Sequence, residues 1–313
     1  MKDSAEELAR NCIPHVEEYY DLLRYESDPA GGYKLAPQSL PHITINRDGY
    51  RGKPFTGQEE VLLLGDSVTF GVGASSDEDR FSRYLETAAG RPVADASVRA
   101  YRVFQHYARL PALLERLPKT RRILLWCGYA DLLYWVISGG SVDGAFGFAQ
   151  RYNGEKPGIA ARLWDRLGRK LRGKPAFTAP AVRREPLEAL VSQMTAHVRA
   201  IRDLCAAREI ELTVLLQPFV RARPQRSEVL QICDGYERKT LQKFGKGWYE
   251  LSQEFVQRFG SDLERMFPGN WIDCQALMGE EGYLDQVHLK EESARLLSQT
   301  LAERLFVNSG SVA

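Results

Sequence analysis

Four apolar residues in a row, Val61-Leu62-Leu63-Leu64, stop at Gly65, and Asp66 and Ser67 follow at once. A short apolar run without alternation, bounded by a turn residue, predicts a strand buried on both faces. Such strands belong to parallel sheets with helices on either side. Parallel neighbours also need long, mostly helical crossovers. This one stretch therefore narrows the fold to a layered α/β class and asks the rest of the chain for alternating strands and helices.

The chain supplies them. Further strands are expected at 92–97, 122–128, 211–218 and 271–274, each short and mostly ended by a turn residue. Helical spacing of apolar residues runs over 79–89, 102–117, 186–208, in pieces over 226–258, and over 290–306. Right-handed crossovers between such strands give a five-stranded parallel sheet in a three-layer α/β/α, flavodoxin-like arrangement. Residues 1–58 read as an N-terminal extension packing on a main domain of residues 59–308. In the extension a helix is expected over 5–24, then the breaker Asp28-Pro29-Ala30-Gly31-Gly32, then a short strand and turn over 40–52. An insert at about 136–185 interrupts the alternation. Residues 150–184 carry ten basic and two acidic side chains. A solvated face is the plainer reading of such a run; a wall that draws an anionic substrate is the functional one.

A serine at the carboxyl end of a parallel strand stands where open α/β sheets place their ligands. A hydroxyl becomes a nucleophile only with a base in reach and a third group to orient that base. Near the other end of the chain, Tyr283-Leu284-Asp285-Gln286-Val287-His288-Leu289 holds an acid and an imidazole three residues apart, expected at the start of the last helix. Ser67, His288 and Asp285 can thus serve as nucleophile, base and orienter, since a triad depends on geometry and not on chain order. The G-x-S-x-G elbow is absent, because Thr69 stands where its second glycine belongs.

With these residues the chain resembles the GDSL, or SGNH, hydrolase family over roughly residues 60–306, Gly65-Asp66-Ser67 matching the first block and Asp285-x-x-His288 the last. The resemblance implies the flavodoxin-like fold, Ser67 as nucleophile, His288 as base, Asp285 as its partner, and the Ser67 N–H as an oxyanion donor. Two middle blocks depart from the pattern. Where the second block usually has a glycine whose N–H joins the oxyanion hole, this chain has Ala100. Where the third usually reads Gly-x-Asn-Asp, it has Gly128-Tyr129-Ala130-Asp131, so the side-chain donor is missing. Arg99, Tyr129 and Gln217 are the candidates to replace it; each also has a plainer reading as a structural polar residue. Asp66 and Asp131 read as structural, and His106 as a packed or surface histidine.

Composition bounds the alternatives. A net charge of +1 over 313 residues gives no general attraction for nucleic acid. No apolar run approaches membrane-spanning length, and the charged start lacks a signal-peptide core, so the expectation is a cytoplasmic protein. Five scattered cysteines and five histidines form no zinc-type spacing, and His15, three residues after Cys12, reads as incidental. No metal and no organic cofactor is expected. The leading expectation is an esterase acting on a small-molecule or carbohydrate ester through an acyl-enzyme. An O-acyltransferase delivering the same acyl group to a carbohydrate or natural-product hydroxyl is the alternative, and an SGNH-like binding protein is the third.

Overall fold

The computed structural model describes residues 11–141 and 186–307. Most of the basic insert, from residue 142 to 185, therefore lies outside the described residues, as do residues 1–10 of the expected first helix.

The main sheet is built from β5 (Val61–Leu64), β6 (Val93–Asp95), β7 (Arg122–Cys127), β8 (Glu211–Leu216) and β9 (Trp271–Asp273), which lie after the small strands β1 to β4 described below. All neighbours are parallel, in the order β6-β5-β7-β8-β9. This is the doubly wound 2-1-3-4-5 order of flavodoxin-like sheets. Every residue of β5 is buried, as its uninterrupted apolar run requires. Removing a leucine side chain such as Leu63 from water stabilises the fold by about 2 kcal/mol.

Eight α-helices connect and cover these strands among the described residues: α1 (Ser67–Phe70), α2 (Phe81–Ala89), α3 (Val103–Arg116), α4 (Tyr129–Ser138), α5 (Leu187–Ala206), α6 (Ser227–Phe244), α7 (Trp248–Met266) and α8 (Glu291–Ala302). The step from β5 to β6 runs one way along the sheet, and every later step runs the other way. Right-handed crossovers therefore put α2 on one face and α3, α5 and α7 on the opposite one. The packing agrees: α8 lies against α2, while α5 lies against both α3 and α7. The expected helical stretch at 226–258 is two helices with a break at Gly245, and the second continues to Met266.

The segment before β5 differs more from expectation. Where a helix was expected up to residue 24, Glu18–Leu22 form a single wide turn of π-helix. The Asp28-Pro29-Ala30-Gly31-Gly32 breaker is the turn of a hairpin joining β1 (Tyr25–Asp28) to β2 (Gly32–Leu35). Asp28 caps that turn by accepting the Gly31 N–H at 2.8 Å. A second, two-residue ladder pairs β3 (Gln38–Ser39) with β4 (Thr44–Ile45).

Reversal of the winding direction opens a crevice at the carboxyl ends of β5 and β7. Ser67 follows β5, and Gly128 follows β7. No described helix is long and apolar enough to cross a membrane.

Candidate active site

Ser67 is the first residue of α1, and Asp66 caps that helix by accepting the Val68 N–H at 3.0 Å. Gly65 is required where it stands: a Cβ there would lie 2.1 Å from Thr69 Oγ1. Thr69 in turn meets Ser97 Oγ at 2.8 Å, tying the turn after β5 to the turn after β6. Within Gly65–Gly73 the Ser67 residue alone is more than slightly exposed. The N–H groups of the first helical turn have no partner inside the helix, which leaves the Ser67 N–H without an intrahelical acceptor.

The acid and the imidazole come from a loop, not from the start of the last helix as expected, since α8 begins at Glu291. The loop closes on itself. Leu284 N–H donates to the His288 carbonyl at 2.7 Å, and Lys290 N–H donates to the Gly282 carbonyl at 2.8 Å. Asp285 Oδ1 accepts the N–H groups of Val287 and His288, each at 2.8 Å. Its other oxygen, Oδ2, lies 2.7 Å from His288 Nδ1. His288 Nε2 lies 2.9 Å from Ser67 Oγ. A carboxylate only accepts, so Nδ1 carries the ring proton and Nε2 is left to accept from the serine hydroxyl. Burial opposes the Asp285 charge, yet the adjacent His288 ring and the two backbone donors outweigh it and hold the carboxyl below its usual range. The 285–288 loop is also anchored from outside: the Gln286 carbonyl accepts from Val220 N–H at 2.9 Å, and Gln286 Nε2 donates to Tyr129 OH at 2.9 Å.

Gln286 is the residue that sequence reasoning passed over. It sits between the acid and the imidazole, and that position was its only signal. It gives Tyr129 the plainer of its two expected places, that of a structural polar residue. The Tyr129 ring is buried against Phe219 and Trp248, and its hydroxyl joins the start of α4 to the imidazole loop.

The other candidates divide. Ala100 adopts φ +64°, the left-handed conformation that glycine enters without strain, in the position where the family pattern has glycine. The turn containing it is held by the N-terminal hairpin: Tyr33 OH donates to the Arg99 carbonyl at 2.7 Å, and Tyr101 OH donates to the Tyr33 carbonyl at 2.6 Å. The Arg99 side chain is buried and turned to that segment, donating to the Tyr19 carbonyl and lying over the Tyr20 ring. Gln217 is fully buried with its side chain beside the Asp66 carboxyl group. Ala130, the second residue of α4, offers only its methyl group and backbone. His106 is buried against Tyr101, and burial followed by Arg109 pushes its imidazole down to about 3.

Two acids beneath the site are unusual. Burial raises Asp66 to about 6, against the Val68 N–H and the His288 ring, which favour its charge. Burial likewise raises Asp131 to about 6; Arg102 opposes the rise, and the nearby Asp66 adds to it. They stand at the ends of neighbouring strands, so ionising one makes ionising the other harder.

No protein-family model and no curated protein matches the chain. Solved structures that resemble it include GDSL/SGNH hydrolases. A candidate lipolytic protein of the G-D-S-L family from Desulfitobacterium hafniense is 14% identical, with a TM-score of 0.45 over 78% of this chain and 98% of the other. A catalytic mutant of an acetylxylan esterase from Geobacillus stearothermophilus is 12% identical, with a TM-score of 0.43 over 79% and 94%. The esterase EstA from a Pseudoalteromonas species, in a form inhibited by monoethylphosphonate, is 13% identical, with a TM-score of 0.40 over 80% and 96%.

Proposed function

We propose that this chain is a serine esterase. The single observation that supports it most is the continuous line of hydrogen-bond contacts from Asp285 through His288 to a half-exposed Ser67. In this reading Ser67 Oγ attacks an ester carbonyl while His288 Nε2 takes its proton. Asp285 stays ionised and stabilises the imidazolium. The carbonyl oxygen gains charge and is met by the Ser67 and Ala100 N–H groups. His288 then returns the proton to the leaving alcohol, and water, activated by the same ring, releases the acid from Ser67.

A second reading, transfer of the acyl group to another hydroxyl, shares the same acyl-enzyme, to which Ala130 offers no side-chain donor. Loss of one oxyanion donor typically lowers turnover by about 10²–10³. That loss slows attack by water and by an alcohol alike, so the two readings part only on which nucleophile reaches the acyl-enzyme. A carbohydrate alcohol added to a turnover assay should divert the acyl group in the second and leave the products unchanged in the first.

Labelling with a fluorophosphonate, read by intact mass and peptide mapping, tests the common step. One adduct per chain on Ser67, absent in Ser67→Ala and in His288→Ala, is expected. Folded protein that takes no adduct would overturn both readings.

A further inference from the structure

His15, Glu18 and His42 are distant from any zinc-type spacing in the sequence, yet their ligand atoms all lie within 4.8 Å of one another. Glu18 is a buried carboxylate; its Oε1 lies 2.5 Å from His42 Nδ1, and its Oε2 accepts the His42 backbone N–H at 3.0 Å. The His15 and His42 rings stack face to face, with centroids 3.6 Å apart and planes 15° from parallel. His15 holds this place at φ +52° although it is exposed. A left-handed backbone at an exposed non-glycine residue is strain that core packing does not repay, and such strain collects at ligand sites.

We infer that His15, Glu18 and His42 form a zinc-class divalent cation site, nothing in the reaction proposed above being needed for it. Two imidazoles and one carboxylate are a ligand set that suits zinc, with a fourth position for water. Ligands about 2.1 Å from a tetrahedral ion stand about 3.4 Å apart, so Glu18 Oε1 and His42 Nδ1, now 2.5 Å apart, would separate as the ion enters. Binding would take the place of the Glu18–His42 hydrogen bond, a neutral ring bound through Nδ1 keeping its one proton on Nε2.

The ion would join the two parts of the segment that buttress the serine loop. Next to Glu18, the Tyr19 hydroxyl lies 2.9 Å from the carbonyls of both Gly71 and Ala74. Beside His42, Arg51 donates to the His42 carbonyl at 2.9 Å and to the Gly71 carbonyl at 2.8 Å. One ion would thus clamp the π-turn to the β3–β4 loop, and through them the backbone that follows Ser67.

The test uses the full chain, stripped with a chelator and titrated with Zn²⁺ by calorimetry, with Co²⁺ as a spectroscopic stand-in. One ion per chain, a tetrahedral Co²⁺ spectrum, and a melting temperature raised by about 5 °C at a hundredfold excess over Kd are expected. His42→Ala should weaken binding by at least about a hundredfold, because even outer-shell changes cost 10–100-fold. His15→Asn should do the same while keeping the left-handed backbone, since asparagine tolerates it; circular dichroism of the metal-free variants checks that they fold. His197→Ala, a remote imidazole, should bind normally. No saturable binding, or equal binding by wild type, His42→Ala and His15→Asn, would overturn the inference.

Discussion

The turns after β5 and after β7 begin alike and end differently. Each strand stops at a glycine, a helix follows, and an aspartate at the start of each helix is buried with its carboxyl pushed up to about 6. After β5, the first helical residue is Ser67, with its hydroxyl against His288. After β7, Gly128 turns the chain at φ +125°, and Ala130, the second residue of α4, has no polar side-chain atom. One local device therefore presents a hydroxyl in the first case and no side-chain donor in the second. In the function proposed above, side chains would build the attacking half of the candidate site, and backbone N–H groups would be left to meet the developing charge.

Breaking the first half should have the largest effect. Asp285→Asn removes the acceptor that sets the His288 tautomer, and turnover of a chromogenic ester should fall by about 10⁴ with little change in KM. A loss below tenfold would mean that His288 is oriented by something else. Completing the second half should act in the opposite direction. Ala130→Asn, restoring the side chain of the family pattern, should raise kcat by roughly 10–10². A fall in hydrolysis together with reduced transfer to an added alcohol would show that the alanine serves acceptor access.

The buried acids sharpen the comparison through stability. Asp66 titrates near 6 when folded, against 3.8 as its ordinary value, so the folded state binds more protons between these limits. Stability is then greatest below about pH 4 for this group and declines as pH rises through 6. Asp66→Asn keeps an acceptor for Val68 N–H and removes that decline. Urea unfolding at pH 8 should show the variant more stable than wild type by about 1–3 kcal/mol, with the gain vanishing at pH 4. The smallest effect is expected at Ala100→Gly. Relief of the left-handed strain, offset by the freer unfolded chain, should raise stability by about 0.5 kcal/mol in the same measurement. A loss there would mean that the alanine methyl is packed.

Much of the fold was legible because apolar spacing reports directly on burial. Val61–Leu64 and Ile123–Cys127 are uninterrupted runs, and both are fully buried central strands. The N-terminal segment was less legible. Asp28-Pro29-Ala30-Gly31-Gly32 reads equally as a helix break or a hairpin turn, and only the pairing of Tyr25 with Leu35 distinguishes them. Within the candidate site, residue type and chain order selected Ser67, Asp285 and His288, while the polar candidates Arg99, Tyr129 and Gln217 could not be ranked. Arg99 is turned to the Tyr19 carbonyl, Tyr129 to Gln286, and Gln217 is sealed beside Asp66.

By itself the sequence determined the strand and helix order, the parallel sheet, the residue types available at the candidate site, and the absence of a polar side chain at Ala130. These follow from local periodicity and identity, which need no neighbour in space. The tertiary structure alone decided what depends on partners far apart in the chain: the 2.9 Å contact spanning Ser67 and His288, the shared burial that raises Asp66 and Asp131 together, and the meeting of His15 and Glu18 with His42. Distance, desolvation and charge coupling act through space, and spacing along the chain carries none of the three.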